Sequence, residues 1–147
     1  MADLETQLKK IDTDLDTHKA GIAIIDDDLS FSLMLKEYLL SNAQLNSDLF
    51  PNGEDFLKEY RSKDDRKIIL DYDFGKGLDG LTILQKIKSI NPTATVIMVS
   101  SQDDLEKAID TIRKGAIDYF LKTNKTVFAN IYCSLKKIME MEKNKWN

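Results

Sequence analysis

The chain has 147 residues, 42% of them hydrophobic, enough to bury one substantial core and too few for two ordinary domains. Its 21 basic and 25 acidic residues give a net charge of -4, with no Lys or Arg cluster able to neutralise a run of phosphates, which argues against direct binding of nucleic acid. One cysteine excludes an internal disulfide, and with no export signal and no run of roughly 18 apolar residues the chain is expected in the cytoplasm, off the membrane.

Residues 1–19 form a leader or short helix in which Leu4, Leu8, Ile11 and Leu15 recur at helical spacing, fitting either an amphipathic partner helix or a frayed leader. His18, the single histidine, is assigned no role. The globular unit is expected over residues 20–141, with 142–147 as a tail. Gly21 to Ile25 is a short apolar, β-branched run stopped by Asp26, Asp27 and Asp28, which predicts a buried strand with carboxylates at its carboxyl end. Ser30 is the expected cap of a first helix carrying Phe31, Met34, Leu35, Tyr38 and Leu39. A weak strand over Leu45 to Phe50, a turn at Pro51-Asn52-Gly53 and a short helix with Phe56, Leu57 and Tyr60 follow.

Lys67 to Leu70 repeats the opening pattern, an apolar run ending in acid at Asp71. A glycine-rich loop through Gly75, Gly77 and Gly80 leads into a helix with Leu84, Ile87 and Ile90 that Asn91-Pro92 stops. Thr95 to Val99 predicts a fourth strand ending in Ser100-Ser101. Asp103 and Asp104 suit the start of a helix with Leu105, Ile109 and Ile112 on one face, closed by Gly115. Ala116 to Leu121 predicts a fifth strand finishing at Lys122, and Val127, Ile131, Leu135 and Ile138 line a last helix to about Met141. Cys133 in that helix is expected to be buried or half-buried.

Strands alternating with helices through short connections indicate an α/β, doubly wound domain with a five-stranded parallel sheet and five helices. In such sheets ligands bind beyond the carboxyl ends of the strands, where strand order reverses. Those ends carry Asp26, Asp27, Asp71, Ser100 and Lys122. Taken singly, each has a plain reading: a charged helix start, a loop acid, a helix cap, a solvated strand-end charge, and for Tyr119 a half-buried strand residue. Together they gather at one edge. Carboxylates converging there would repel one another unless a cation sat among them, and oxygen-only ligands favour Mg2+. Asp71 could then attack phosphorus and form an acyl phosphate, with Mg2+, Lys122 and the Ser100 hydroxyl neutralising the incoming charge.

The ordered set resembles the response-regulator receiver family over about Ala20 to Met139. Ile24 to Asp28 resembles the paired acids after the first strand, Ile68 to Asp71 the acceptor strand, and Asp79-Gly80 the end of the following loop. Val96 to Ser101 is similar to the strand whose last hydroxyl contacts the phosphoryl group, and Gly115 to Lys122 to the segment with an aromatic switch residue three positions before a lysine. The resemblance implies a flavodoxin-like sheet of order 2-1-3-4-5. It makes Asp71 the phosphoacceptor and Asp27 a direct Mg2+ ligand, with Asp26 ligating through water or assisting and Asp73 lending its backbone carbonyl. Ser100 and Lys122 would contact the phosphoryl group, and Tyr119 would turn inward once it is bound. The implied protein is a switch rather than a turnover enzyme. It would be phosphorylated by a sensor histidine kinase or a histidine phosphotransfer protein, and would signal through the fourth helix, fifth strand and fifth helix, by homodimerisation or to another partner.

Two features depart from the family pattern. The loop Tyr72 to Gly80 has one residue more than usual and lacks Met-Pro after the acceptor, and Thr123 replaces the proline that commonly follows the lysine. Lys122–Thr123 is therefore either trans or a cis bond costing about 2.5 to 4 kcal/mol. Rival readings are a haloacid-dehalogenase-like phosphatase using Asp71 and Asp73, a flavodoxin-like mononucleotide binder, and a degenerate receiver that acts without phosphorylation. The first needs its Asp-x-Asp on the opening strand, and the second needs a phosphate loop where Asp26, Asp27 and Asp28 stand. No output domain follows the last helix, as expected of either a stand-alone receiver or a piece of a longer regulator.

Overall fold

The computed structural model describes residues 20–144. The leader pattern Leu4 to Leu15 and His18 lie outside the described residues. In chain order the elements are β1 (Ile22–Ile25), α1 (Leu29–Ala43), β2 (Ser47–Phe50), α2 (Gly53–Glu59), β3 (Lys67–Asp71), α3 (Gly80–Ile90), β4 (Val96–Ser100), α4 (Leu105–Arg113), β5 (Asp118–Leu121) and α5 (Val127–Asn144). The strands form one sheet in the order β2-β1-β3-β4-β5, with every neighbouring pair parallel.

Side-chain alternation along the strands divides the interior in two. Ile22, Ile24, Ile69, Ile97 and Val99 face one side, where Leu35 and Leu39 of α1 and Val127, Ile131 and Leu135 of α5 cover them. Ala23, Ile25, Ile68, Leu70, Val96 and Met98 face the other, beneath Phe56 of α2 and Ile83, Leu84 and Ile87 of α3. Burial on both faces explains why these strands read as unbroken apolar runs rather than alternating ones. At the amino-terminal end of the sheet, buried Arg66 pairs with Asp64 at 2.7 Å, Asp48 at 2.9 Å and Glu59 at 3.0 Å. Its guanidinium also stacks on Phe50 and Phe56.

Register sets the level of the strand ends. Ile25 pairs with Leu70, Asp71 with Val99, and Ser100 with Leu121, so Asp26, Asp71, Ser100 and Lys122 emerge along one edge. Strand order reverses about β1, placing Asp26 and Asp71 on either side of the switch point.

Several sequence expectations need correction. Asp28, not Ser30, caps α1 by accepting from the Phe31 amide at 3.1 Å; Ser30 lies within the first turn. A carboxylate one residue past the Asp26-Asp27 pair reaches the orphan amide that a hydroxyl two residues later cannot. α5 runs to Asn144, three residues beyond the expected end, because nothing after Met141 breaks a helix. Cys133 is exposed, since it falls outside the stripe that buries Ile131, Ser134 and Leu135. Among the described residues no peptide bond is cis, so Lys122–Thr123 is trans.

Candidate functional site

Asp71 closes β3 at 2% exposure, and Asp26, 3% exposed, follows β1 beside it. One carboxylate oxygen from each of Asp26, Asp27 and Asp71 lies within 4.8 Å of the others. Lys122 places Nζ 2.7 Å from Asp26 Oδ2 and 3.4 Å from Asp71 Oδ2, with its ammonium 4.7 Å from the Phe31 ring centroid. Burial drives the Asp71 carboxyl up to about 7, and repulsion from Asp26 adds to that, against the Lys122 charge and the Asp73 amide, which donates to Asp71 Oδ1 at 3.3 Å. Burial pulls the Lys122 ammonium down, but the Asp26 and Asp71 carboxylates outweigh it and hold it above its ordinary value.

One ammonium does not balance three acids. Asp26 Oδ2 is buried, with the Lys122 ammonium at 2.7 Å as its close partner. The donor set is oxygen only, and one member, Asp27, opens to solvent. That combination fits a hard divalent cation that keeps part of its water shell.

The loop from Tyr72 to Asp79 is fixed at three points. The Gly75 amide donates to Asp27 Oδ2 at 3.3 Å, the Leu78 amide to Glu54 Oε1 at 2.7 Å, and the Gly80 amide to the Tyr72 carbonyl at 2.9 Å. The Leu78 amide holds the Glu54 carboxyl below its ordinary value. Gly77, at φ 77°, turns the chain over Glu54, where a Cβ would lie 2.6 Å from Oε1. Glu54 of α2 thus clamps this loop.

Ser100 is fully buried at the end of β4. Its hydroxyl donates to Asp73 Oδ2 at 3.0 Å and accepts from the Gln102 amide at 3.1 Å. Tyr119, half-buried on β5, donates its hydroxyl to the Gln102 carbonyl at 3.2 Å. Lys107 of α4 reaches Gln102 Oε1 at 2.6 Å, approaches Asp73 Oδ1 at 3.9 Å, and lies over the Tyr72 ring.

The structure therefore brings Asp26, Asp27, Asp71 and Lys122 into one constellation, with Ser100 and Asp73 as an adjoining pair and Tyr119 one link away. The receiver resemblance gave Asp73 a role through its carbonyl, and only the rival phosphatase reading used its side chain, which here accepts from the Ser100 hydroxyl. Glu54, Gln102 and Lys107 were missed. Lys107 carries a faint signal, since it follows the acidic start of a helix near the strand end, whereas Glu54 carries none.

The profile of the response regulator receiver domain family matches residues 22–128, and the chain belongs to that family. It is 34% identical over 99 residues to the DNA-binding transcriptional regulator NtrC of Escherichia coli (strain K12), covering 67% of this chain and 21% of that protein. It is 35% identical over 103 residues to the regulator of the same name from Klebsiella pneumoniae, covering 69% and 22%. The chain thus spans about a fifth of the length of these relatives. Among solved structures, the receiver domain of NtrX from Brucella abortus matches with a TM-score of 0.72 at 25% identity, covering 81% of this chain and 98% of that one. A receiver domain protein (CheY-like) from Methanospirillum hungatei JF-1 gives 0.74 at 18% identity, with 86% and 98% covered, a likeness of fold alone.

Membership identifies the chain as a component of two-component signal transduction and supports a signalling switch over a turnover enzyme. Among the described residues no helix is long and apolar enough to cross a membrane.

Proposed function

We propose that the domain from residue 20 to the end of α5 is a cytoplasmic receiver unit, preceded by a leader or short helix over residues 1–19, that accepts a phosphoryl group on Asp71 and relays its arrival to the face built from α4, β5 and α5. The observation that carries this is a buried carboxylate at the end of β3, 3.4 Å from Lys122 and flanked by two further acids. The donor is a sensor histidine kinase or a histidine phosphotransfer protein. An Asp71 oxygen bonds to phosphorus as the donor's P–N bond breaks, and the bonding pair leaves with the imidazole. Lys122 exchanges part of its pairing with Asp26 for a phosphoryl oxygen, and the Ser100 hydroxyl donates to another. Mg2+ would be held by Asp27, Asp71 and the Asp73 carbonyl, with Asp26 ligating through water or assisting; bound there it neutralises phosphoryl charge. Ser100 moving toward the acceptor frees the Gln102 segment, to which the Tyr119 hydroxyl is bonded, and Tyr119 then turns inward. The exposed apolar residues of α4, Leu105, Ile109 and Ile112, are the surface that a second copy would cover.

Acetyl phosphate with Mg2+ is expected to add one phosphoryl group, seen by mass spectrometry, that is lost in Asp71→Asn. Labelling that persists in that variant and maps to Asp73 would overturn the assignment.

A further inference from the structure

We infer that the Asp73 side chain is an intramolecular competitor of the phosphoryl group, a positioning residue that holds the Ser100 hydroxyl in the resting state. The inference rests on the reading of Asp71 as phosphoacceptor and deepens it. A serine hydroxyl has one proton to donate. In the resting structure that proton goes to Asp73 Oδ2 at 3.0 Å, while the hydroxyl oxygen accepts from the Gln102 amide at 3.1 Å. Ser100 is fully buried, so no bulk water stands by to replace a partner it loses. A phosphoryl group on Asp71 asks for the same proton. Asp73, two residues from the acceptor, is also a carboxylate beside a newly arrived polyanion, and the two repel.

Lys107 supplies the other half of the device. Its ammonium lies 3.9 Å from Asp73 Oδ1, too far for a close pair, and bonds Gln102 Oε1 at 2.6 Å. A carboxylate displaced from Ser100 therefore has a cation within a short swing, on the helix whose position reports the signal. Ser100, Gln102, Lys107 and the Tyr119 hydroxyl are already joined by hydrogen bonds through Gln102. Transfer of Asp73 from Ser100 to Lys107 would change both ends of that network together.

The competition sets the resting state's hold on the switch. A hydrogen bond to an ionised group is among the stronger ones, so removing its acceptor shifts the balance toward the phosphoryl-like state by about tenfold. The backbone carbonyl of Asp73 is unchanged by any side-chain substitution.

The test is beryllofluoride titration with Mg2+, read by NMR, of the wild type, Asp73→Ala, Asp73→Asn, Ser100→Ala and Ser100→Ala with Asp73→Ala. Asp73→Ala should bind beryllofluoride about tenfold more tightly. Asp73→Asn, which keeps an acceptor oxygen but loses the charge, should fall between. Without beryllofluoride, the Tyr119 and Gln102 resonances of Asp73→Ala should already move toward their bound positions, a shift that a merely structural role would not produce. In the Ser100→Ala background Asp73→Ala should give a clearly smaller gain, the part that comes from removing the charge alone. Equal or weaker binding by Asp73→Ala, or the same gain with Ser100 absent, overturns the competitor role while leaving Asp71 as acceptor. A wild type that binds no beryllofluoride, or binds it unchanged in Asp71→Asn, removes the acceptor reading and the competitor with it.

Discussion

As the proposed phosphoacceptor, Asp71 could attack only as a carboxylate, and its surroundings oppose that form. Burial and the Asp26 charge bring its carboxyl to about 7 from an ordinary 3.8, so at neutral pH the cation-free protein carries a mixture of protonation states. The sign of the consequence for stability follows from linkage. The folded chain holds this proton more tightly than the unfolded chain, so the associated stability is fully present below about 3.8 and is lost as pH rises toward 7. Asp71→Asn cannot ionise and escapes the loss. In magnesium-free buffer the variant is expected to be more stable than wild type at pH 8 by on the order of 2 kcal/mol, the difference shrinking toward zero near pH 4. Urea unfolding of both proteins at the two pH values measures it. A difference that grows on acidification would mean that Asp71 is ionised and satisfied in the fold. Such a stabilised but unreactive variant is what a site built to hold strained charge should give.

At the scale of elements, β3 and the helix after it meet through Gly80. A Cβ there would lie 2.3 Å from the Asp71 carbonyl oxygen and 2.5 Å from the Tyr72 Cα, both backbone atoms that cannot swing aside. Gly80→Ala must therefore push α3 from the end of β3. The expected loss is about 1 to 3 kcal/mol in chemical unfolding, with slower labelling by acetyl phosphate. Gly75→Ala, with nothing within 4 Å, is the matched control and should stay within about 0.5 kcal/mol of wild type. An undisturbed Gly80→Ala would show that the strand and helix are less tightly joined than they look.

These contacts mark where sequence reading stops. Ile22–Ile25 and Lys67–Asp71 were legible as strands because both are apolar runs cut off by acid, and burial on both faces demands such runs. Asp26, Asp27, Asp71 and Lys122 were legible as one site because parallel strands deliver their ends to one edge. The cap of α1 was misplaced by two residues, since Asp28 and Ser30 are both good caps and local conformation decides between them. Glu54 bonding Leu78, and Asp73 bonding Ser100, depend on the course of a loop that no periodicity encodes.

For the whole molecule, packing is uneven in a way that suits a switch. α3 buries Gly80, Ile83, Leu84 and Ile87, while the one buried residue of α4 is Thr111. Leu105, Ile109 and Ile112 remain 74%, 40% and 46% exposed, an apolar stripe on the helix with the fewest buried residues. β5 beside it is an edge strand with each residue only half-buried. Elements with few buried contacts open and shift at the lowest cost, so a charge event at Asp71 has its cheapest response here. If the active arrangement begins as a minor population, a differential interaction of a few kcal/mol makes it dominant. Beryllofluoride with Mg2+ is accordingly expected to drive self-association, measured by sedimentation velocity, and to alter amide exchange across α4 and β5. Ile109→Glu, which places a charge in the middle of the stripe without touching the acid cluster, should bind beryllofluoride as well as wild type yet stay monomeric. Exchange confined to the loops around Asp71, with α4, Tyr119 and oligomeric state unchanged, would contradict this output and favour a carrier that passes the phosphoryl group onward.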